Sequence, residues 1–401
     1  MAIIRPFRAI RPIRDKSSLV ASRSYLSYSN ETLKEKLENN PFTFLHIINP
    51  DYKKKIKSKG AEKFKLVKEK YQEFICKNYL IQDKRPSYYI YQQQNTTHKF
   101  KGIIAATSVD DYINGNIKKH EHTITSREEM FREYLEITGF NADPVLLSYP
   151  KNTKINSLLL KYEEKRAEYE FTTTNKTLHK LWIISDEYDI KNIKKEFNTI
   201  ENLYIADGHH RCASSSLLKR TKKTEYNNYF MSLLIDENQL NIINFNRLIK
   251  GLNSLTYESF IDKIKINFDV TQSLDCKPTK KNEIGMYLKG KSYLLNAKKD
   301  SFHNDCINRL DPVILSNNIL KPILNIIDEK TDKNIKFISG NIPFSELRKL
   351  VDSEEYQVAF ILKPIPISTI KEVADRNKFM PPKSTYIEPK LRSGLTIYPL
   401  D

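Results

Sequence analysis

Short apolar runs with strand propensity alternate with amphipathic segments along most of the chain. The runs Ser87–Gln92 and Phe100–Val109 predict two strands that pair, because they are bounded by polar residues and rich in aromatic or β-branched side chains. The segment Ala61–Leu80 repeats its apolar residues at helical spacing and predicts a helix. Alternation of this kind predicts an α/β (α+β) fold with a mixed sheet.

Three local patterns make sharper predictions. The apolar runs Pro41–Ile48 and Val145–Tyr149 are typical of strands. Ser126 and Glu129 have the spacing of a capping box, in which two side chains satisfy the first free N–H groups of a helix. We therefore expect a helix to open at this serine.

The chain has 401 residues and a formal net charge of +17, with the excess of lysine and arginine spread along its length. Such a charge attracts anions, although a bias in composition explains it equally well. The four cysteines form no CxxC pair, so reduced thiols are expected. No apolar stretch suits a signal peptide or a membrane span, which predicts a cytoplasmic protein without a membrane partner.

The segment Leu203–Cys212 (LYIADGHHRC) combines a strand pattern, a glycine and the start of a helix. A helix N-terminus exposes backbone N–H groups and carries partial positive charge, which suits a phosphate. Gly208 permits a tight turn, Arg211 can grip phosphate oxygens, and Asp207 can hold a metal ion or a proton. The alternative is a simple helix cap, with Asp207 as the capping residue beside a hydrogen-bonded histidine pair.

A second polar cluster is His120-Glu121-His122-Thr123. The chain has eight histidines, and four of them lie in this tetrapeptide and in the DGHHR turn. A glutamate between histidines is a candidate general base. Two alternatives stay open, namely a zinc or iron site at His120 and His122, and an exposed polar loop.

Basic and hydroxyl residues near the two ends form weaker patterns. Lys383, Lys390 and Arg392 stand beside proline and glycine in the tail, where they could close over an anion or simply be solvated. Residues 21–29 (ASRSYLSYS) are rich in hydroxyl groups that could line a small polar pocket.

Taken together, these motifs resemble the bacterial family known as domain of unknown function 1015. The resemblance extends from residue 1 to residue 401 and is carried by RPFRAIRP (5–12), NPFTFLHI (40–47), DDYINGNIKKHEHT (110–123), LYIADGHHRCAS (203–214), FNRLIKGLN (245–253), TDKNIKFISG (331–340), VADRNKFMPPKST (373–385) and EPKLRSGL (388–395). That family is similar to free L-serine kinases of the ParB/sulfiredoxin-like superfamily. The resemblance thus implies a nucleotide-binding core of that type, with additional α/β elements at both ends.

The resemblance also implies a reaction, the transfer of a phosphoryl group from ATP or ADP to free L-serine with Mg²⁺ as cofactor. It assigns Glu121 as the catalytic base and Asp207 as a catalytic residue and metal ligand. It implies that Tyr25 and Thr123 contact the acceptor. The residues implied to hold the nucleotide are Gly208, His209, His210, Arg211, His120, Lys383 and Arg392.

Two other functions compete with a kinase. One is a nucleotide-binding ParB-like protein that acts on nucleic acid or a protein partner, although the dispersed charge and the lack of a helix-turn-helix pattern argue against nucleic acid. The other is a metal-dependent hydrolase built on the histidines. We expect a kinase core at residues 1–250, an accessory α/β domain at 251–372 and an extended segment at 373–401 that packs back on the core.

Overall fold

The computed structural model describes residues 1–400, except for the side chain of Leu26. It divides into two compact units. Unit 1 comprises Met1–Leu240 together with Pro389–Asp401, and unit 2 comprises Asn241–Glu388. The division into three domains that the sequence suggested stays a prediction. Within the described residues, no helix is both long and apolar enough to cross a membrane.

Unit 1 is built on one mixed sheet. Its neighbouring strands are, in order, Ile117–Lys118, Leu203–Asp207, Val145–Tyr149, Tyr229–Asp236, Lys99–Ser108, Tyr88–Gln94, Leu178–Ile184 and Tyr169–Thr172, and Ile4–Arg5 also pairs with Lys99–Ser108. Parallel pairing occurs at two places, between Leu203–Asp207 and Ile117–Lys118 and between Tyr229–Asp236 and Val145–Tyr149. The predicted α/β fold with a mixed sheet is therefore confirmed.

Unit 1 also contains nine α-helices among the described residues. They are Ser17–Val20, Asn30–Asn39, Leu45–Ile48, Gly60–Cys76, Val109–Ile113, Thr125–Thr138, Thr153–Glu163, Glu187–Phe197 and His209–Thr221. Leu159, Phe197 and Cys212 on three of them are fully buried against sheet residues such as Leu147 and Ile205. Burial of an apolar side chain of this size contributes about 1.5–3 kcal/mol, so the packing fixes where the helix termini lie.

Unit 2 has its own sheet and core. The neighbouring strands are Phe268–Ser273, Lys291–Ala297, Glu283–Leu288, Val358–Ile361, Phe245–Ile249 and Ile335–Ser339, and Asn241–Ile243 pairs separately with Tyr386–Glu388. The helices are Tyr257–Lys265, Asp311–Leu315, Phe344–Asp352 and Ile367–Asp375. Phe260, Met286 and Phe360 are fully buried in the core of this unit.

The last residues of the chain return to unit 1 as an extended segment. Ile397 exchanges two backbone hydrogen bonds with Ile10, at 2.9 and 2.8 Å. Tyr398–Pro399 pairs with the short strand Phe140–Asn141, and residues 10–12 and 80–82 form a further two-stranded ladder. The segment is thus held by strand pairing along its length.

Two of the local predictions are wrong. The predicted strand Pro41–Ile48 is a turn followed by the helix Leu45–Ile48, in which Leu45, His46 and Ile47 are buried and Phe44 is the buried N-cap. A short apolar run fits a buried strand or a buried helix equally well.

The predicted capping box does not form either. The helix begins at Thr125 with Ile124 as its N-cap and without a side-chain cap in the described chain. The ring nitrogen Nε2 of His210 accepts the Ile124 N–H at 3.1 Å. The backbone N–H of the actual N-cap is thus bonded by a residue from a distant part of the chain, and Ser126 lies inside the helix instead of capping it.

Candidate active site

The DGHHR segment is a strand–turn–helix, as predicted. The strand Leu203–Asp207 ends at Gly208, whose φ of 106° lies in the left-handed region, and the helix His209–Thr221 follows directly. A Cβ at Gly208 would lie 2.9 Å from Nε of Arg211, so a larger residue would displace that guanidinium in addition to straining the backbone. Gly208 is the N-cap, so the alternative that made Asp207 the cap is wrong.

Asp207 lies between two cations. One carboxylate oxygen accepts from Arg211 at 2.5 Å, and the other accepts from Lys390 at 2.6 Å. Arg211 also donates to the carbonyl of Pro144 at 2.5 Å. Burial would raise the pKa of Asp207, but the charges and hydrogen bonds of Arg211 and Lys390 outweigh it and lower that pKa. The turn is thus held by an ion cluster in which one carboxylate is shared by two cations, which leaves one net positive charge.

The histidine-rich loop lies against this turn. The Glu121 carboxylate is 3.5 Å from Nδ1 of His209, the first residue of the helix. The rings of His120 and His209 meet edge to face with their centroids 4.6 Å apart. Together with the bond from Ile124 to His210, these contacts join two motifs that are almost 90 residues apart in the sequence. The structure therefore brings Glu121 and the DGHHR turn together.

The buried histidines at this junction are neutral. Burial, and then the neighbouring imidazole and Arg211 charges, lower the pKa of His209 well below its usual value. Burial alone lowers the pKa of His120 to about 4, and burial is also the main cause of the lowered pKa of His210. The backbone N–H of His120 donates to the ring nitrogen Nε2 of His209 at 3.4 Å. Because a neutral imidazole has one N–H, the His209 proton is on Nδ1, which faces Glu121.

Other predicted residues lie in different surroundings. Lys383 belongs to unit 2, where its ammonium is 5.2 Å from the centre of the Phe245 ring. Arg392 donates to the side chain of Asn175 at 3.2 Å. Thr123 is half-buried in the histidine loop and Tyr25 is exposed. The binding roles of these residues stay predictions.

The metal hypotheses gain no support from the geometry. Among residues 1–400, no group of three or more His, Cys, Asp or Glu side chains is arranged to hold a metal ion. His120 is buried and His122 exposed, which is unlike a pair of zinc ligands on one surface. Nδ1 of His120 is buried and lacks a hydrogen-bond partner in the described part of the chain.

The sequence reasoning missed the partners that hold the turn. Lys390 was treated only as one of several basic tail residues, and the Pro144 carbonyl was not considered. No local pattern signals either contact, because they join positions 183 and 67 residues apart.

Several solved structures are similar to this chain at low identity. A free serine kinase in complex with AMP is 14% identical, and the match covers 73% of this chain and 91% of that chain with a TM-score of 0.39. SbnI with C-terminal truncation from Staphylococcus aureus is 13% identical, with 74% and 87% covered and a TM-score of 0.41. A conserved hypothetical protein from Pyrococcus furiosus is 16% identical, with 73% and 94% covered and a TM-score of 0.37.

The sequence comparisons identify a family. No curated protein matches the sequence. A family model described as "Protein of unknown function (DUF1015)" matches residues 4–313, which is more than three-quarters of the chain. The resemblance expected from the motifs is confirmed, and the chain belongs to the DUF1015 family.

Proposed function

We propose that this protein is a small-molecule kinase that transfers a phosphoryl group from ATP or ADP to the hydroxyl of free L-serine, giving O-phospho-L-serine. One observation carries the proposal. The Glu121 carboxylate lies 3.5 Å from the ring of His209, at the N-terminus of the helix His209–Thr221. A candidate base is therefore adjacent to a candidate anion site. Phosphoryl transfer requires little more than positioning and stabilisation of charge.

The donor phosphates would bind at the DGHHR turn. Gly208 brings the backbone close to a ligand, and the helix that follows it presents free N–H groups and the positive end of its dipole. Arg211 and Lys390 lie beside it, where both are hydrogen-bonded to the single carboxylate of Asp207. An incoming phosphate would compete with Asp207 for these cations, since both are anions that accept charge-assisted hydrogen bonds.

The acceptor would be activated by Glu121. Its side chain is about 41% exposed, so a small molecule can reach it. In the step we propose, the carboxylate takes the proton of the serine hydroxyl while that oxygen attacks the terminal phosphorus. The bond from phosphorus to the bridging oxygen breaks, and the nucleotide leaves with the electron pair. The resemblance of the two motifs to those of free L-serine kinases is what identifies serine as the acceptor.

Magnesium is part of the implied reaction, where it would neutralise charge on the phosphates. Each carboxylate oxygen of Asp207 accepts a hydrogen bond from a cation, so a metal ion bound there would share the carboxylate with Arg211 and Lys390. The metal role of Asp207 stays a prediction, and no step above depends on it.

The test is a phosphoserine assay with L-serine, Mg²⁺ and either ATP or ADP. Replacing Glu121 by Gln removes the base but keeps the shape of the side chain, so we expect kcat to fall by about 10²–10⁴-fold. The exposed Glu201 gives a matched control, since Glu201→Gln should leave kcat unchanged. If the wild-type protein forms no phosphoserine with either donor, or if Glu121→Gln turns over at the wild-type rate, the proposal fails.

A further inference from the structure

Two arginines of unit 1 face each other without a counterion. Ser22 and Ser393 exchange backbone hydrogen bonds at 3.3 and 2.8 Å in an antiparallel bridge. Antiparallel pairing in this register places Arg23 opposite Arg392. Over the described residues, neither guanidinium forms an ion pair with a carboxylate, although like charges placed opposite each other on paired strands destabilise the pair.

The side chains beneath Arg392 are polar and incompletely bonded. Arg392 donates to Asn175, and Tyr28 is also within hydrogen-bonding reach. His179 is 1% exposed, and its Nδ1 bonds the hydroxyl of Tyr91 at 2.7 Å. Nε2 of His179 is buried and has no partner in the chain as described. We refer to Arg23, Arg392, His179, Tyr91 and Asn175 as the paired-arginine cluster.

Two neighbours of this cluster are also unsatisfied. Oε1 of Gln93, which pairs across the sheet with His179, and Oγ of Ser22 are buried without a partner among residues 1–400. Buried polar groups in folded proteins are normally hydrogen-bonded, and each exception needs an explanation such as an absent ligand. These atoms, together with two guanidinium groups that form no ion pair among the described residues, make the cluster a candidate binding site for a polar ligand.

The cluster is suited to a negatively charged ligand. Burial, followed by the charges of Arg392 and Arg23, lowers the pKa of His179 to about 3, so the imidazole is neutral. If the Tyr91 hydroxyl donates to Nδ1, the His179 proton is on Nε2, which is then a free donor. The cluster thus offers two guanidinium forks and one N–H, which suits the planar oxygens of a carboxylate.

We propose that the paired-arginine cluster binds the α-carboxylate of the amino-acid acceptor. The inference rests on the proposed kinase function and deepens it by naming the acceptor's recognition site. Arg392 follows Lys390 by two residues, so their Cα atoms are at most about 7 Å apart. One extended segment therefore serves both the turn of Asp207 and the cluster. Arg392 was predicted from the sequence to bind nucleotide phosphate, and this proposal assigns it to the acceptor instead.

The test is calorimetric titration of the full-length protein with two ligands, L-serine and L-serinamide. L-serinamide lacks the carboxylate that the cluster is proposed to bind. Arg392→Gln and Arg23→Gln should each raise the Kd for L-serine by about 10- to 100-fold, the range for losing a charged hydrogen bond. The Kd of Arg392→Lys for L-serine should lie between that of these variants and that of the wild type. The Kd for L-serinamide should be weak and the same in every variant.

The matched control is Arg166→Gln, since Arg166 is an exposed arginine of the same unit. The KM for nucleotide should not change in the cluster variants. A larger change in the KM for nucleotide than in the Kd for L-serine would overturn the proposal, because the cluster would then serve the phosphates. Equal binding of L-serine and L-serinamide by wild type would also overturn it.

The two proposals can fail separately. If L-serine binds in an arginine-dependent way and no phosphoserine forms, the kinase function fails and the cluster assignment stands. If phosphoserine forms normally in Arg23→Gln and Arg392→Gln with an unchanged KM for L-serine, the kinase function stands and the cluster assignment fails. Failure of wild-type protein to bind L-serine at all refutes both.

Discussion

Two cationic regions of unit 1 share one extended segment but differ in how their charge is balanced. At the DGHHR turn, Asp207 accepts hydrogen bonds from both Lys390 and Arg211. In the paired-arginine cluster, Arg392 faces Arg23, and the described residues supply no carboxylate. The DGHHR turn is held together without a ligand, because its two cations share Asp207, and an anion that binds there competes with this carboxylate. In the paired-arginine cluster a bound anion would offset the repulsion between the guanidinium groups and so stabilise the protein.

The two regions are alike in one respect, because each contains a buried neutral histidine. Burial lowers the pKa of His120 to about 4, and burial with the Arg392 and Arg23 charges lowers that of His179 to about 3. A charged imidazole beside Arg211 or Arg392 would add repulsion to a site meant for anions. Because the histidines are neutral, the positive charge of both regions comes only from their arginines and from Lys390.

The largest expected effect is a loss of stability in acid. A histidine whose folded-state pKa is lower than the unfolded value of about 6.5 binds more protons when unfolded, so stability falls as pH falls through the window between the two values. For His120 the window runs from about 6.5 down to about 4. The loss across it is roughly 3 kcal/mol.

Urea unfolding at a series of pH values between 7 and 4 measures this loss. In His120→Gln, the fall in the free energy of unfolding between pH 7 and pH 4 should be smaller by about that amount, whatever the variant's stability at pH 7. His98→Gln, at an exposed position of the same unit, should keep the wild-type slope. A His120→Gln protein with the wild-type slope would show that His120 is not a neutral buried residue.

A smaller effect is expected when the DGHHR turn loses its carboxylate and so resembles the paired-arginine cluster. Asp207→Asn keeps the shape of the side chain and leaves Arg211 and Lys390 without their carboxylate. Because the Asp207 side chain is 34% exposed, solvent screens part of the loss, and we expect about 1–2 kcal/mol of destabilisation. Inorganic phosphate should restore much of it, since Arg211 and Lys390 can then hydrogen-bond an anion from solution in place of the carboxylate.

Urea unfolding with and without phosphate is the measurement. Glu170→Gln breaks a more exposed ion pair with Lys180 and should cost less than about 1 kcal/mol, with no response to phosphate. Equal phosphate responses in the two variants would mean that the turn has no special affinity for anions.

Local patterns predicted the elements that carry the site but not the contacts that complete it. The strand Val145–Tyr149 has the predicted bounds, and the turn at Gly208 leads from strand to helix as expected. Each depends on neighbours in sequence: apolar residues in a run, or a glycine where φ is positive. The predicted capping box at Ser126 does not form, because the helix begins earlier, at Thr125, and the N–H of its N-cap Ile124 bonds to His210 of a distant helix.

The charge pattern of the site depends on contacts of still longer range. Lys390 and Arg392 look alike in the sequence, two basic residues beside a glycine. Only the return of the tail to unit 1 gives Lys390 a carboxylate and Arg392 a second arginine. Strand pairing over hundreds of residues decides this, and no local propensity encodes it.

The smallest expected effect comes from supplying the carboxylate that the paired-arginine cluster lacks. Arg23→Glu replaces a like-charge pair across the strands with an opposite-charge pair, and such pairs contribute roughly 0.2–1 kcal/mol. We expect the free energy of unfolding to rise by about 0.5–1 kcal/mol while L-serine binding is lost, because the new carboxylate occupies the place of the substrate's. Arg166→Glu makes the same change in net charge at an exposed position and should do neither. If Arg23→Glu lowers stability, the two guanidinium groups do not repel each other in the free protein, and the contrast between the two regions disappears.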